Sequence, residues 1–324
     1  MKRVAVLALV AVLAGCGGNL GESSDDESSY PDRAITLLVG QDAGGSTDLI
    51  ARALAEQVSD DLGKPVTVVN RPGANGGVAA KELAGTEPDG YTVMMFVGSL
   101  AYITPLAVAP GQAVDITKYD VVTGVSQDDY VLVTTPAKKF TTVKDIVDAG
   151  RAIKYGTTGV GTGSQLSSAL LFAQAKVNAT AVPFDGGAPT LTAVLGGQVD
   201  VASVQLGEAQ EQIKAGKLVP LVTFAQKRPT YLPDTPTAKE AGYNAPVQQS
   251  RAVVAPDGTP TAVVDRLRGA FGKAFDAREY QDFNTERLLT PNEVDGKTLL
   301  DQWTGSLRTY RSLTEQYGID LAGK

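Results

Sequence analysis

The apolar and polar positions of this chain alternate between two periods. Short apolar runs, typical of buried strands, are separated by segments in which apolar residues recur every three or four positions, as in amphipathic helices. The first unit is a strand predicted over 35–40, followed by a helix predicted over 47–61 in which Ile50, Leu54 and Val58 share one face. This alternation predicts an α/β fold in which the strands are largely parallel.

Two α/β blocks and a helical tail follow one another along the chain. The first block continues with strands at 66–69 and 91–97 and a helix at 76–84. The second has strands predicted at 130–134, 154–156, 179–183, 199–202 and 218–223, and helices at 143–150, 165–174, 189–196 and 208–215. The tail has helices predicted at 261–275 and 298–317.

The order block, block, tail predicts one domain that is made from both ends of the chain and a second domain that is inserted into it. We expect domain 1 to comprise 30–124 and 251–324, and domain 2 to comprise 125–250. The chain should therefore cross between the domains twice, near 120–130 and near 245–255.

The N-terminus carries a targeting pattern. Lys2 and Arg3 precede an apolar run at 4–14, which is too short to span a bilayer as a helix and suits a signal peptide. The run ends in Leu-Ala-Gly-Cys, which resembles the bacterial lipobox and places the single cysteine, Cys16, at the lipidated position. We expect a lipoprotein signal peptide at 1–15 and a flexible acidic tether at 16–29. An ordinary signal peptide followed by an unrelated cysteine is the alternative.

Composition excludes several classes of function. The chain has no histidine and one cysteine, so it lacks His-based catalytic triads, His metal sites and intrachain disulfides. Its 29 basic and 36 acidic residues give a formal net charge of −7, which argues against nucleic acid as a partner. We expect no metal ion, no cofactor and no catalytic residue.

Three glycine-rich loops, at 43–48, 72–77 and 158–165, each follow a predicted strand and precede a predicted helix. In open α/β sheets such loops lie at the carboxyl ends of the strands and form the ligand crevice. The helix N-terminus that follows offers N–H donors and a partial positive charge, which suits an anion. No P-loop motif is present, so these loops predict a cleft for a small anion and not a nucleotide site.

Four single residues have two possible roles each. Asp48 either stabilises the start of the first helix or, less favoured, acts as a catalytic acid. Asp185 either caps a turn or contacts the distal end of a ligand. Arg251 either forms an interdomain ion pair or donates to a ligand carboxylate. Trp303 is expected to pack in the core.

Several motifs together resemble the substrate-binding proteins of tripartite tricarboxylate transporters. They run in the family's order over nearly all of 30–324, and include GGSTD at 44–48, NRPGA at 70–74, PDGYT at 88–92, VPFDG at 182–186 and APDGTP at 255–260. The resemblance implies a type II periplasmic-binding-protein fold, in which two α/β domains are joined by two crossing strands around a ligand cleft. It further implies an extracytoplasmic receptor, anchored to the membrane through lipid on Cys16, that delivers a small carboxylate to the membrane subunits of a transporter.

The resemblance also implies where the carboxylate is held, between the loops at 43–48 and 158–165. The expected ligand-binding residues are Ala43, Gly44, Gly45, Ser46, Thr47, Asp48, Ser99, Thr158, Gly159, Gly161, Thr162, Ser164, Gln165, Asp185, Gln205 and Arg251.

Three positions depart from the family's usual pattern. Gln165 stands where a histidine is frequent, Asp185 where a basic residue is frequent, and Ser250 where a tryptophan is common. A carboxylate at 185 would repel a second anionic group, so we expect a monocarboxylate or an amino or hydroxy acid in place of a citrate-like ligand. Two other functions remain open from the sequence, a ligand sensor for a membrane kinase and, less favoured, a secreted α/β enzyme.

Overall fold

The computed structural model describes residues 30–322, so the predicted signal peptide, Cys16 and the tether lie outside the described residues. Its strands are β1 (Ile35–Val39), β2 (Val66–Asn70), β3 (Thr92–Val97), β4 (Tyr119–Thr134), β5 (Ile153–Thr157), β6 (Ala179–Pro183), β7 (Val201–Gln205), β8 (Val219–Thr223) and β9 (Gln248–Pro256). Its helices are α1 (Ser46–Leu62), α2 (Gly77–Leu83), α3 (Ser99–Tyr102), α4 (Thr104–Ala107), α5 (Val143–Asp148), α6 (Gly163–Ala175), α7 (Gly187–Leu195), α8 (Leu206–Lys214), α9 (Thr261–Asp276), α10 (Arg278–Glu286) and α11 (Gly296–Gln316).

Strand β4 divides the structure into two lobes. Its residues 119–129 pair antiparallel with β9, which pairs in turn with β3, and β3, β1 and β2 are parallel neighbours. Its residues 130–134 pair with β7 and β8, and β7 continues through β5 to β6. We call the part around the first set of strands the first lobe and the part around the second set the second lobe. Two α/β domains with a cleft between them confirm the fold class expected from the sequence.

The crossing strands are the main element that the sequence pattern missed. Only 130–134 was predicted as strand, yet β4 begins eleven residues earlier, at Tyr119. The missed part contains Asp120, Asp128 and Asp129, which are too polar for an apolar strand pattern. Asp128 is nevertheless fully buried, because an arginine on β9 neutralises it. Helices α3, α4 and α10 were also missed, since α3 and α4 are one turn each and α10 buries few side chains.

Each lobe has an apolar core, and a further cluster joins them. Helices α1 and α9 pack their apolar faces on the first sheet, around Leu54, Val58 and Phe271. In the second lobe Val194 and Val204 belong to a separate cluster. The third cluster extends from Phe96 in β3 through Trp303 in α11 to residues of the second lobe. The C-terminal tail therefore packs against both lobes.

A close approach of backbone fixes the bend in β4. The pairing of β4 with β9 shifts register between 121 and 123 and again between 124 and 126. A Cβ atom at Gly124 would overlap the carbonyl oxygen of Asn292, in the segment that leads to α11. Glycine at 124 thus lets the C-terminal segment lie directly against the crossing strand.

Candidate functional site

A cleft of about 1420 Å³ lies between the two lobes. All three predicted glycine-rich loops contribute to its wall, and the N-termini of α1 and α7 open onto it. Helix N-termini carry unpaired N–H groups and partial positive charge, so this wall can hold an anion by backbone donors. The predicted site residues that line the cleft are Ala43, Gly44, Gly45, Ser46, Thr47, Thr158, Gly159, Thr162, Asp185, Gln205 and Arg251.

Arg251 lies at the base of the cleft and is 2% exposed. Its Nε donates to Thr47 Oγ1 at 3.0 Å, and its Nη2 donates at 2.7 Å both to Ser46 Oγ and to Gln205 Oε1. Its Nη1 donates to Ser126 Oγ at 3.4 Å and forms an ion pair with Asp128. All five guanidinium hydrogens therefore have partners, and the ion pair with Asp128, one of the two kinds of role expected for Arg251, joins the two crossing strands.

The Arg251–Asp128 pair is electrostatically tight. Burial raises the pKa of the Asp128 carboxyl, while Arg251 and hydrogen bonds from Ser126 and the Thr290 N–H oppose that rise. Removing a single partner from such a pair would leave an uncompensated charge in the interior. The pair fastens β9 to β4 where the chain crosses between the lobes.

Asp48 does not line the cleft but fixes the loop that does. Its carboxylate accepts from the Gly44 N–H at 2.8 Å, from Arg52 Nε at 3.0 Å and from Asn70 Nδ2 at 2.9 Å. Burial raises the pKa of Asp48, but the hydrogen bonds from Arg52, Gly44 and Asn70 outweigh that effect and the pKa is lowered. The structure thus places Asp48 outside the cleft wall, where it stabilises the start of α1, the first of its two expected roles.

The loop before α6 also holds several of its polar groups by internal bonds. Gln165 accepts from the Gly161 N–H at 2.8 Å and donates to the Leu321 carbonyl at 3.0 Å, so its amide binds the C-terminal tail. Ser164 Oγ accepts from the Thr158 N–H at 2.8 Å. Gly161 lies against Thr104 of the first lobe, whose hydroxyl donates to its carbonyl at 3.1 Å.

Five predicted ligand-binding residues are thus placed outside the cleft wall: Asp48, Ser99, Gly161, Ser164 and Gln165. Ser99 Oγ accepts instead from Asn75 Nδ2 at 2.9 Å. Four of the five lie in the predicted glycine-rich loops, and Ser99 begins α3. Sequence motifs do not show which partner each residue takes, and several of these partners lie far away in the sequence.

A family model described as the tripartite tricarboxylate transporter family receptor matches residues 50–307. That range covers most of the chain and most of both lobes, and it begins just after the first glycine-rich loop of the cleft. The chain belongs to this family of receptors.

Relatives and solved structures agree with this assignment. A UPF0065 protein of Bordetella pertussis is 31% identical over 98% of this chain and 97% of its own length. The structure of the periplasmic binding protein BugD is similar with a TM-score of 0.82 and 26% identity, over 90% of this chain and 99% of that one. MatC of Rhodopseudomonas palustris with bound malate has a TM-score of 0.81 and 27% identity, over 88% and 99%. This receptor family is extracytoplasmic and binds solutes; it is not a family of enzymes.

Two of the three departures from the family pattern have different consequences in this receptor. Asp185 is exposed and lines the cleft in the second lobe, where it faces any ligand. Ser250 is buried outside the cleft wall, and its hydroxyl accepts from Trp303 Nε1 at 3.0 Å. Trp303 stacks on Phe96 with ring centroids 5.5 Å apart, as a core residue should. The inference that Ser250 bears on the ligand is therefore corrected.

Sequence reasoning missed several polar residues of the cleft: Gln41, Asp42, Asn75, Tyr130, Glu208 and Gln249. Tyr130 and Gln249 come from the two crossing strands and hydrogen-bond to each other. Glu208 was predicted only as the first residue of a helix. Its place in the cleft could have been predicted from the sequence. An acidic residue in the first turn of a helix that follows a strand lies at the same sheet edge as the glycine loops.

Within residues 30–322 no helix is long and apolar enough to cross a membrane. The same residues contain no group of three or more acidic or cysteine side chains that could hold a metal ion.

Proposed function

We propose that this receptor is a lipid-anchored solute-binding protein that captures a small carboxylate in the cleft and delivers it to the membrane subunits of a tripartite tricarboxylate-type transporter. One observation carries the proposal: the glycine loops and helix N-termini of two lobes converge on one cleft. The malate bound to MatC supports a carboxylate as the ligand class.

Domain 1 is proposed to comprise 30–124 and 251–324, and domain 2 to comprise 125–250. These boundaries fall on the two crossing strands, β4 and β9, which are then the hinge. Contacts across the cleft, such as Ser46 Oγ to Gln205 Oε1 at 2.6 Å and Thr104 to Gly161, would break when the lobes separate. Ligand binding would favour the closed arrangement because the ligand contacts both walls.

The proposed ligand contacts are the predicted residues that line the cleft, apart from Arg251, with backbone N–H groups of the two facing loops as donors to the carboxylate. Arg251 does not contact the ligand, since its hydrogens are already paired. It holds Ser46, Thr47 and Gln205 of the cleft wall in place. Asp185 disfavours a ligand with a second anionic group at its side of the cleft.

Thermal unfolding of the purified protein against a panel of carboxylates tests this function. A ligand present at 100 times its Kd should add about 2.7 kcal/mol of stability and raise Tm. Mass spectrometry under non-denaturing conditions should also detect a ligand carried through purification. A panel in which sugars or phosphate raised Tm and no carboxylate did so would contradict the proposal.

Delivery is tested in cells. Deleting the gene should abolish uptake of the identified ligand and leave uptake of unrelated solutes unchanged. Intact uptake with a lost transcriptional response to the ligand would show a sensor and not a transport receptor.

A further inference from the structure

The carboxylate of Glu208 lies in the cleft beside the expected anion site. It belongs to the first turn of α8 and is contacted by the backbone N–H of Ser46, the first residue of α1 in the other lobe. A Cβ atom at Gly187, the first residue of α7, would overlap this carboxylate. Glu208 therefore lies where the starts of three helices meet.

Part of this arrangement is ordinary helix capping. Glu208 is the third residue of α8, and a contact from its carboxylate to the N–H of the preceding Gln205 is the one a glutamate makes in a capping box. Capping alone explains neither the contact with Ser46 across the cleft nor the glycine required at 187. These features hold the carboxylate toward the ligand space.

Glu208 has no cationic partner. Arg251 is the nearby cation, but its hydrogens are committed to five other acceptors, and no ion pair within residues 30–322 includes Glu208. Burial accordingly raises the pKa of Glu208, against the opposing effect of Arg251. Glu208 is only partly exposed to solvent, and a carboxylate in such a place that is held by neutral donors is stabilised when a cation approaches it.

Gln205 supplies a complementary group next to Glu208. Its Oε1 accepts from Arg251 Nη2 and from Ser46 Oγ, which fixes the orientation of the amide. Its Nε2 is then buried and has no hydrogen-bond acceptor among the described residues. An unpaired buried donor destabilises the protein, and an acceptor on a ligand would remove that cost.

The charges around the cleft agree with a cationic group in the ligand. Arg251 is paired with Asp128, so it contributes no free positive charge to the cleft. The remaining ionisable side chains of the wall, apart from Tyr119 and Tyr130, are four carboxylates and two ammonium groups: Asp42, Asp115, Asp185, Glu208, Lys81 and Lys118. An excess of carboxylates disfavours a dianion and favours a ligand that carries its own positive charge.

We propose that Glu208 and Gln205 form a zwitterion subsite, in which Glu208 accepts from the ligand's ammonium group and Gln205 Nε2 donates to its carboxylate. The ligand class is then the α-amino acids, in which these two groups are attached to one carbon. This inference rests on the proposed function and specifies its ligand. Glu208 and Gln205 determine specificity. A zwitterion supplies a partner for both side chains, whereas a plain carboxylate supplies a partner only for Gln205.

Isothermal titration with matched ligand pairs tests the subsite. The pairs differ only in the amino group: L-aspartate and succinate, L-glutamate and glutarate, L-alanine and propionate. The wild-type protein should bind the amino acid of at least one pair tenfold or more tightly than its partner. Glu208→Gln should weaken that amino acid at least tenfold and leave the matching acid unchanged or bound more tightly.

Glu211→Gln is the matched control, since it makes the same change one turn later in α8 on a well exposed side chain. It should leave every affinity unchanged, and unfolding curves should show that both variants fold. A wild-type preference for the plain acids would overturn the subsite. The subsite would also be overturned if Glu208→Gln increased the affinity for both members of a pair equally. Glu208 would then compete with the ligand carboxylate in the wild-type protein. Binding of none of these acids would also overturn the subsite; if another carboxylate then raised Tm in the thermal-unfolding panel, the proposed function would still stand.

Discussion

Arg251 lies where both lobes and both crossing strands meet, and its role could not be decided from its place in the sequence. A forked donor at the edge of a predicted crossing suits either a ligand carboxylate or an ion pair. The structure decides for the ion pair, because Asp128, Ser126, Ser46, Thr47 and Gln205 surround the guanidinium and use all of its hydrogens. Glu208 remains without a cation for the same reason.

Replacing Arg251 by Met should therefore destabilise the protein strongly. Asp128 would remain buried with no counter-ion, and breaking a buried pair in this way costs about 3–5 kcal/mol. Urea denaturation followed by circular dichroism measures the loss. The double variant Arg251→Met with Asp128→Leu should recover much of it, since no charge would remain; a single variant within about 1 kcal/mol of wild type, the value of an exposed ion pair, would contradict the buried pair.

At the scale of elements, most strands and helices follow from periodicity, and the crossing strands do not. Helix α1 was predicted to within one residue at each end, and it ends at Gly63 with the left-handed backbone that favours glycine there. The crossing part of β4 is polar in sequence but buried in the structure, since β9 covers it with Arg251, Gln249 and Gln248. Its polar groups are paired across strands, which no local pattern reveals.

Asp129, in the crossing strand β4, should make the stability of the protein depend on pH. Burial raises its pKa to about 6, and the neighbouring Asp128 adds to the rise, while a hydrogen bond from Gln248 Nε2 at 2.7 Å opposes it. An unfolded aspartate has a pKa of about 3.9, so the folded state binds the proton more tightly. The contribution of this carboxyl to stability is fully present below about pH 4 and is lost as the pH rises through about 6.

The substitution Asp129→Asn should remove the loss of stability that occurs as the pH rises through about 6. The asparagine can still accept the hydrogen bond from Gln248 Nε2. The free energy of unfolding of the variant, relative to wild type, should rise by about 2 kcal/mol between pH 4 and pH 7. Urea denaturation at several pH values measures this difference. A difference that stayed constant over the same range would show that Asp129 titrates normally.

At the scale of the whole molecule, the described residues form a two-lobed receptor. The predicted lipoprotein signal peptide precedes them in the sequence. The C-terminal tail contacts both lobes: α11 packs on the first sheet, and the Leu321 carbonyl accepts from Gln165 of the second lobe. Ligand capture in the cleft and the proposed membrane attachment at Cys16 can therefore be tested by separate substitutions.

Changing Cys16 to Ser should abolish lipidation and leave ligand affinity unchanged, because the described cleft wall is formed by residues between 40 and 251. Wild-type protein expressed in bacteria should incorporate labelled fatty acid, and mass spectrometry should find a mature N-terminus at Cys16. The Cys16→Ser variant should carry no label. A wild-type protein without label and processed elsewhere would indicate an ordinary signal peptide.

The sequence by itself determined the α/β alternation, the three glycine loops, the family and the approximate crossings, because these depend on local periodicity and on motifs that are contiguous in the chain. Eleven of the expected site residues line the cleft, and their contact with a ligand stays a prediction. Only the tertiary structure decided that Gln165 binds the C-terminal tail, that Arg251 is fully paired and that Glu208 is not. Those roles depend on partners up to about two hundred residues away, and a side chain's charge is available to a ligand only if no such partner has taken it.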